Sequence, residues 1–295
     1  RAIVPFGRQK FYTAVILRLH NHAPKGVEVK EIHSLTDSHP VVNEHQIRLW
    51  EWISFYYMSP LGDVYKAALP SGMKPSDLEV KYTPKTENYI RFHPGLKLDD
   101  AEKNIGKAKK QLELFREISE ILSLKNFISR KELLETTGYS AAVLNGLIEK
   151  NILTQYSEDV SRIDKQVEAS RKPYNLSEHQ QKAFDEINRC FEEKNVCLLH
   201  GVTSSGKTEI YIHLIEEELK RGKQTLYLVP EIALTTQLTT RLQAVFGDKL
   251  GIYHSKINDN ERTEIWQKML SDSPYEIVIG VRSSLFLPFN KIGRA

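Results

Sequence analysis

Residues 201–208 read Gly-Val-Thr-Ser-Ser-Gly-Lys-Thr, two glycines with four residues between them and then Lys and Thr. Each position has a use in holding a chain of phosphates. Gly201 and Gly206 let the backbone turn tightly and aim its N–H groups at phosphate oxygens. Val202, Thr203, Ser204 and Ser205 form the span between them. Lys207 supplies an ammonium that reaches the β- and γ-phosphates. The Thr208 hydroxyl is suited to ligate Mg²⁺. A helix starting here adds its positive N-terminal end. The implied ligand is a nucleoside triphosphate with Mg²⁺, and Lys207 and Thr208 are the catalytic candidates.

Such a loop needs a strand before it and a helix after it. Val196 to His200 is a short apolar run that predicts the strand. The helix that follows turns Ile210, Tyr211, Leu214, Ile215 and Leu219 inward, and Gly222 stops it. Further strands are predicted at Gln224 to Val229, Leu250 to Tyr253 and Glu276 to Gly280, with helical stretches between. Alternation of this kind indicates a parallel sheet covered by helices on both faces.

Upstream, the chain opens with Ile3-Val4-Pro5-Phe6-Gly7, a basic turn and a β-rich run from Tyr12 to Leu19. Val27 to Ser34 alternates as another strand. A helix is predicted from Asn43 to Tyr57, burying Ile47, Trp50, Ile53, Phe55 and Tyr57, with Pro60 and Gly62 closing it. Residues 71–110 carry Pro75, Pro84, Pro94 and Gly95 among mixed charges, which is linker composition. Leu112 to Leu124 has helical spacing. Ser129 and Glu132 form a capping-box pattern at the next helix start. Gly138 ends that helix, and Ser140 can cap the next, Ala141 to Lys150. A strand at Ile152 to Tyr156 completes the order of a winged helix. Glu149 and Lys150 are nearly the only charges on its recognition helix, so DNA binding and protein packing both remain open as its role.

The formal charge is +3 over 295 residues, which permits nucleic-acid binding without arguing for it. No apolar run approaches the roughly 20 residues of a membrane span. Arg1 to Lys10 is basic but lacks the apolar core of an export signal. Cys190 and Cys197 have no zinc spacing and read as two buried thiols of a reduced cytosolic protein.

The segment from Gly201 to Tyr211 resembles the nucleotide loop of the PriA helicases. Leu228-Val229-Pro230-Glu231-Ile232-Ala233-Leu234-Thr235-Thr236-Gln237 resembles that family's motif Ia. Tyr253-His254-Ser255 and Gly280 to Phe286 are similar to its next segments. Leu176-Ser177-Glu178-His179-Gln180 resembles its adenine-reading Q motif, which makes Gln180 a nucleotide-binding candidate. Val4-Pro5-Phe6-Gly7 and Tyr56 to Val64 resemble its N-terminal domain. The resemblance implies a multidomain α/β chain. Residues 1–70 would be a DNA 3′-end-binding domain, 71–170 a linker and winged helix, and 171–295 the first RecA-like motor lobe. It implies an ATP- and Mg²⁺-dependent 3′-to-5′ DNA helicase of superfamily 2 that recognises stalled forks. Expected partners are forked and single-stranded DNA, single-stranded DNA-binding protein and primosome proteins, in a cytoplasmic, nucleoid-associated setting with no membrane.

By position, Gly7 and Lys30 resemble two residues of the family's 3′-end pocket, whereas Lys30 by itself reads as a solvated lysine. Pro230, Thr235 and Thr236 follow a strand, at the carboxyl edge where α/β sheets bind ligands. With Arg282 and Ser283 they are the candidate contacts to the DNA backbone. A surface salt bridge is the other reading of Arg282. The family's Asp-Glu-Glu-His sequence is not present, and Asp185-Glu186 lies on an ordinary amphipathic helix before the loop. The second lobe, its arginine finger and the zinc segment are absent as well. The expectation is therefore a fragment that binds nucleotide weakly and does not turn it over, with zinc only in the remainder of the protein. A non-catalytic fork-binding scaffold and a different superfamily 2 translocase are the alternatives.

Overall fold

The computed structural model describes residues 1–7, 10–22, 25–26, 29–74, 85–96, 98–160, 163, 168–233 and 235–293. The chain divides into two compact units, residues 1–82 with 163–295, and residues 83–162.

The first unit opens with a hairpin of β1 (Ala2–Phe6) and β2 (Lys10–Ala14), in the register Ala2 opposite Ala14. A two-residue β3 (Ser34–Leu35) pairs with the other edge of β1. The strand expected to run on to Leu19 therefore ends at Ala14, where its pairing with β1 stops. The strand expected from Val27 is likewise shorter. Residues 29–33 are not strand, and Val27 and Glu28 lie outside the described residues.

Helix α1 (Glu44–Tyr56) starts with a full capping box. Asn43 accepts from the Gln46 amide, and the Gln46 side chain accepts from the Asn43 amide. Trp50 is buried, but Phe55 and Tyr57, expected inside, are 85% and 66% exposed. The apolar period breaks at that end because residues 52–58 are almost all apolar or aromatic and cannot all face one side. Pro60 and Gly62 do not close the segment. They begin α2 (Leu61–Ala68), where Pro60 is the N-cap.

In the second unit, β4 (Lys85–Phe92) lies between β5 (Ile128–Ser129) and β6 (Leu153–Val160), antiparallel to both. Helices α3 (Leu98–Ile105), α4 (Lys109–Leu124), α5 (Arg130–Thr137) and α6 (Ala141–Glu149) enclose a core of Ile90, Leu114, Ile118, Leu133, Leu144 and Leu147. The linker reading of 71–110 thus fails for 85–105. Prolines and mixed charges at its margins masked a strand with only one face covered. Pro75 and Pro84 lie outside the described residues. Ser129 caps α5 by accepting from the Glu132 amide at 3.1 Å, and Gly138 ends it in the left-handed region. Ser140 sits at the N-cap of α6 without a side-chain cap bond.

The first unit resumes with α7 (Glu178–Glu193), α8 (Lys207–Lys220), β7 (Thr225–Leu228), α9 (Thr236–Phe246), β8 (Leu250–Tyr253), α10 (Asp259–Leu270) and β9 (Ile277–Gly280). The three strands form a parallel sheet in the order β7-β9-β8. Every residue of β9 is buried, as a central parallel strand requires. Val196 to His200 forms no strand and pairs with none among the described residues, with Val196 80% and Leu198 86% exposed. A strand needs a neighbour as well as apolar residues. Here an apolar cavity of about 610 Å³, lined by Leu199, Tyr211, Tyr227 and others, borders both Cys197 and the free edge of β7. Cys190 and Cys197 are half-buried rather than buried. One isolated parallel bridge, Gln224 to Ile292, forms at the start of that edge.

The N-terminal helices and the parallel sheet share one core. Trp50, Val64 and Met73 cluster with Tyr253, Trp266 and Val278. The Trp266 indole donates to the Val41 carbonyl at 2.8 Å, and the Gln46 side-chain Nε2 to the Phe286 carbonyl at 2.6 Å. Among the described residues no helix is long and apolar enough to cross a membrane.

Candidate functional site

The loop 201–206 runs directly into α8. Gly206 is its N-cap at φ 82°, and Ser204 also has a positive φ of 64°. A side chain at Gly206 would collide with the Gln180 amide as well as strain the backbone. The Lys207 ammonium donates to the carbonyls of Gly201 at 2.6 Å and Val202 at 2.7 Å. Ser205 N–H donates to Val202 O. Among the described residues, the N–H groups of Thr203, Ser204, Gly206, Lys207 and Thr208 make no hydrogen bond. Five unpaired amides around one ammonium at a helix start form a donor set that fits an anion rather than a neutral or cationic ligand. Val202, Thr203, Ser204 and Ser205 are exposed, and Thr208 follows Lys207 on the first turn.

Gln180 is brought to this loop. Its amide nitrogen donates to Gly206 O at 3.4 Å, while its oxygen accepts from Ser177 N at 2.9 Å. The same side chain therefore closes the capping box of α7 and touches the loop. Behind α8, buried Glu209 accepts from Tyr174 N at 2.6 Å and pairs with Arg241 of α9 at 2.5 Å. The protonated Nε2 of His213 donates to Tyr174 O at 2.9 Å. Arg171 lies over the Tyr174 ring at 4.3 Å. These contacts fix the approach to the loop. The sequence reading missed them, because nothing in the spacing of Glu209 and Arg241 marks a pair. Asp185 and Glu186 are exposed on α7.

A second cluster sits at the carboxyl ends of the parallel strands. Pro230, Thr235 and Thr236 follow β7, and all three are exposed. Thr235 caps α9, its hydroxyl oxygen accepting from Leu238 N at 3.3 Å. The hydroxyl keeps its proton as a donor. Arg282 is exposed and has neither an ion pair nor a hydrogen bond among the described residues. Ser283 is half-buried beside it. Gly280 is required here. A Cβ would lie 2.6 Å from Tyr253 O and 2.7 Å from Ser284 Oγ.

The loop after β8 belongs to the same edge. Arg262 donates to the carbonyls of His254 at 3.4 Å, Ser255 at 3.1 Å and Ile257 at 3.3 Å. The Ser255 hydroxyl donates to the Glu231 carboxylate. Burial raises the Tyr253 phenol above its ordinary value, and the neighbouring Arg262 cation acts against that rise. Arg262 was not anticipated, since its place on the first turn of α10 does not reveal that it folds back onto the preceding loop.

Gly7 and Lys30 meet apart from both clusters, at the tip of the hairpin. The Lys30 ammonium donates to Gly7 O at 2.7 Å, with Gly7 at φ 65°. Among the described residues no group of three or more His, Cys, Asp or Glu side chains gathers as a metal site.

Three families match successive parts of the chain. Residues 1–70 match the 3′DNA-binding domain (3′BD), residues 87–160 the winged helix domain of PriA helicase in Bacteroidota, and residues 177–293 the DEAD/DEAH box helicase domain. The replication restart protein PriA of Haemophilus influenzae is 33% identical over 99% of this chain and 39% of its own length. That of Bacillus subtilis is 29% identical over 99% of this chain and 44% of its own length. That of Chlamydia trachomatis is 30% identical over 96% of this chain and 37% of its own. The chain thus spans about two fifths of the length of these relatives. Domain matches in family order and near end-to-end alignment agree with the local geometry, and the chain belongs to the PriA family.

Proposed function

We propose that the chain carries the 3′-end-binding and ATP-binding parts of a 3′-to-5′ DNA helicase that reassembles the replication machinery at stalled forks. The observation that carries this reading is the run of amides, unpaired among the described residues, that leads into Lys207 at the start of α8. Gly201 to Gly206 and Lys207 would hold the phosphates, Gln180 would read the adenine, and Thr208 would hold Mg²⁺. Bound Mg²⁺ would neutralise charge on the transferring phosphate. In this reading residues 1–70, 71–170 and 171–295 are the 3′-end domain, the winged-helix region and the first motor lobe.

DNA is the macromolecular partner, with single-stranded DNA-binding protein and other primosome proteins beyond it. Pro230, Thr235, Thr236, Arg282 and Ser283 would grip one strand through its phosphates, which gives position without reading sequence. Gly7 and Lys30 would receive the 3′ end. The Arg282 guanidinium supports this, since it is exposed, has no partner among the described residues and is available to a phosphate.

Titration calorimetry with ATP and Mg²⁺ tests the nucleotide site. Loss of a charge-assisted contact in Lys207→Ala should weaken ATP by about 10- to 150-fold, the equivalent of about 1.5–3 kcal/mol. Equal affinity of the two proteins would remove the assignment. For the strand grip, Arg282→Ala should weaken single-stranded DNA evenly across sequences and lower the salt slope by about one. An unchanged slope would count against Arg282.

A further inference from the structure

The β1–β2 hairpin has two unlike faces. In its register Val4 is opposite Tyr12 and Phe6 is opposite Lys10. Directly opposed residues of an antiparallel pair share a face, so these four side chains project together. The other face carries Ile3 and Thr13, both buried. On the outward face Phe6 is 67% and Tyr12 46% exposed. Their rings meet edge to face, with centroids 5.4 Å apart and planes at 87°. Lys10 is exposed between them in sequence, and the Lys30 ammonium sits on the carbonyl of Gly7, the residue after Phe6.

Scattered exposed apolar residues are ordinary. Two aromatic rings locked together, each still open to water and flanked by two ammonium groups, form a more specific arrangement. Rings stack on bases while cations follow phosphates, and this combination holds single-stranded nucleic acid. The rings carry no group that distinguishes one base from another, and the ammoniums favour an anionic chain. Lys30 spends one donor on Gly7 and keeps two.

We propose that Phe6 and Tyr12 form a stacking platform for a nucleobase next to the strand end held at Gly7 and Lys30. This rests on reading residues 1–70 as the 3′-end site and adds a second subsite to it. The hydroxyl end of the strand meets Lys30 and the Gly7 backbone, and the ring pair takes a base of the last few nucleotides. The strand is thereby gripped at its end and one base further in, without dependence on which base is present.

The test uses fluorescence anisotropy with 5′-labelled single-stranded oligonucleotides and the whole chain. One oligonucleotide carries all its bases, and a second replaces the last three nucleosides with abasic residues. Removing the bases should weaken binding by about 5- to 150-fold, the range for one stacked base. Phe6→Leu and Tyr12→Leu should lose a similar factor on the complete oligonucleotide and nothing on the abasic one. Phe6→Tyr and Tyr12→Phe should keep the affinity. Equal loss on both oligonucleotides, or no loss on either, would overturn the platform. The abasic comparison on the unaltered chain decides the matter even where a substitution disturbs folding. A 3′-phosphate oligonucleotide separates this proposal from the reading beneath it. Indifference to the 3′ phosphate removes the strand-end role, whereas the abasic comparison judges the stacking by itself.

Discussion

Replacing Gly280 with alanine should destabilise the first unit without touching the second. Its new methyl group would lie 2.6 Å from the Tyr253 carbonyl oxygen, 2.7 Å from Ser284 Cβ and 2.7 Å from Ser284 Oγ. None of these is a flexible tip. Tyr253 O belongs to the backbone and accepts from Val281 N at 3.2 Å, and Ser284 is fully buried with its hydroxyl on Val281 O at 2.6 Å. Overpacking of this kind costs about 1–3 kcal/mol. Weakening the Val281 bond adds roughly 1 kcal/mol. Reduced freedom of the unfolded chain returns about 0.4–1 kcal/mol. The net loss is about 1–3.6 kcal/mol, which lowers the midpoint by roughly 2–14 °C for a unit of this size. All three tryptophans, Trp50, Trp52 and Trp266, belong to the first unit, so tryptophan fluorescence during heating reports that unit alone. Gly62→Ala supplies the opposite sign. Gly62 lies in α2 with open space around its Cβ position, so alanine should stabilise by about 0.5–1 kcal/mol. A midpoint that stays put or rises in Gly280→Ala would refute the steric argument.

Three further outcomes follow from the packing. Gln46→Leu leaves the Phe286 carbonyl without its partner, and the same fluorescence melt should show a loss of about 1–3 kcal/mol. Arg241→Met strands the Glu209 carboxylate, whose side chain is only 4% exposed. Urea unfolding should then show a loss of roughly 2–4 kcal/mol, the low side of the buried-pair range because Arg241 keeps contact with water. Burial first, and then the hydrogen bond its own S–H makes to Cys190, raise the Cys197 thiol above its ordinary value. Less thiolate is present at neutral pH, so iodoacetamide should label Cys197 more slowly than a free thiol there, with the gap closing as pH rises; equal rates at pH 7 would contradict it.

The turn before α8 was legible because its constraints are local. Gly201, Gly206, Lys207 and Thr208 are spaced by the demands of one turn and one helix start, and α8 and the strands at 225–228, 250–253 and 277–280 fall where periodicity put them. What depends on distant partners was not legible. Val196 to His200 has the composition of a strand but pairs with nothing among the described residues. Phe55 and Tyr57 have the composition of a core but face water. The Lys85–Phe92 strand was hidden among prolines because only Ile90 is fully buried in it. Gln46 acts on a loop far along the chain, at Phe286, and no spacing rule links such a pair. Gly7 and Lys30 were placed by resemblance alone, and the hydrogen bond between them is a tertiary fact.

The core around Trp50 and Trp266 has a consequence for synthesis. Translation proceeds at about 5–20 residues per second. Residues 1–82 leave the ribosome long before Trp266, so Trp50, Val64 and Met73 wait on the order of ten seconds or more for half of their neighbours. Residues 83–162 draw their core entirely from within themselves and can fold during that interval. The order of birth and the order of folding therefore differ. Of the two segments, the one made earlier settles later, and its unmet apolar surface is what a nascent-chain chaperone would find.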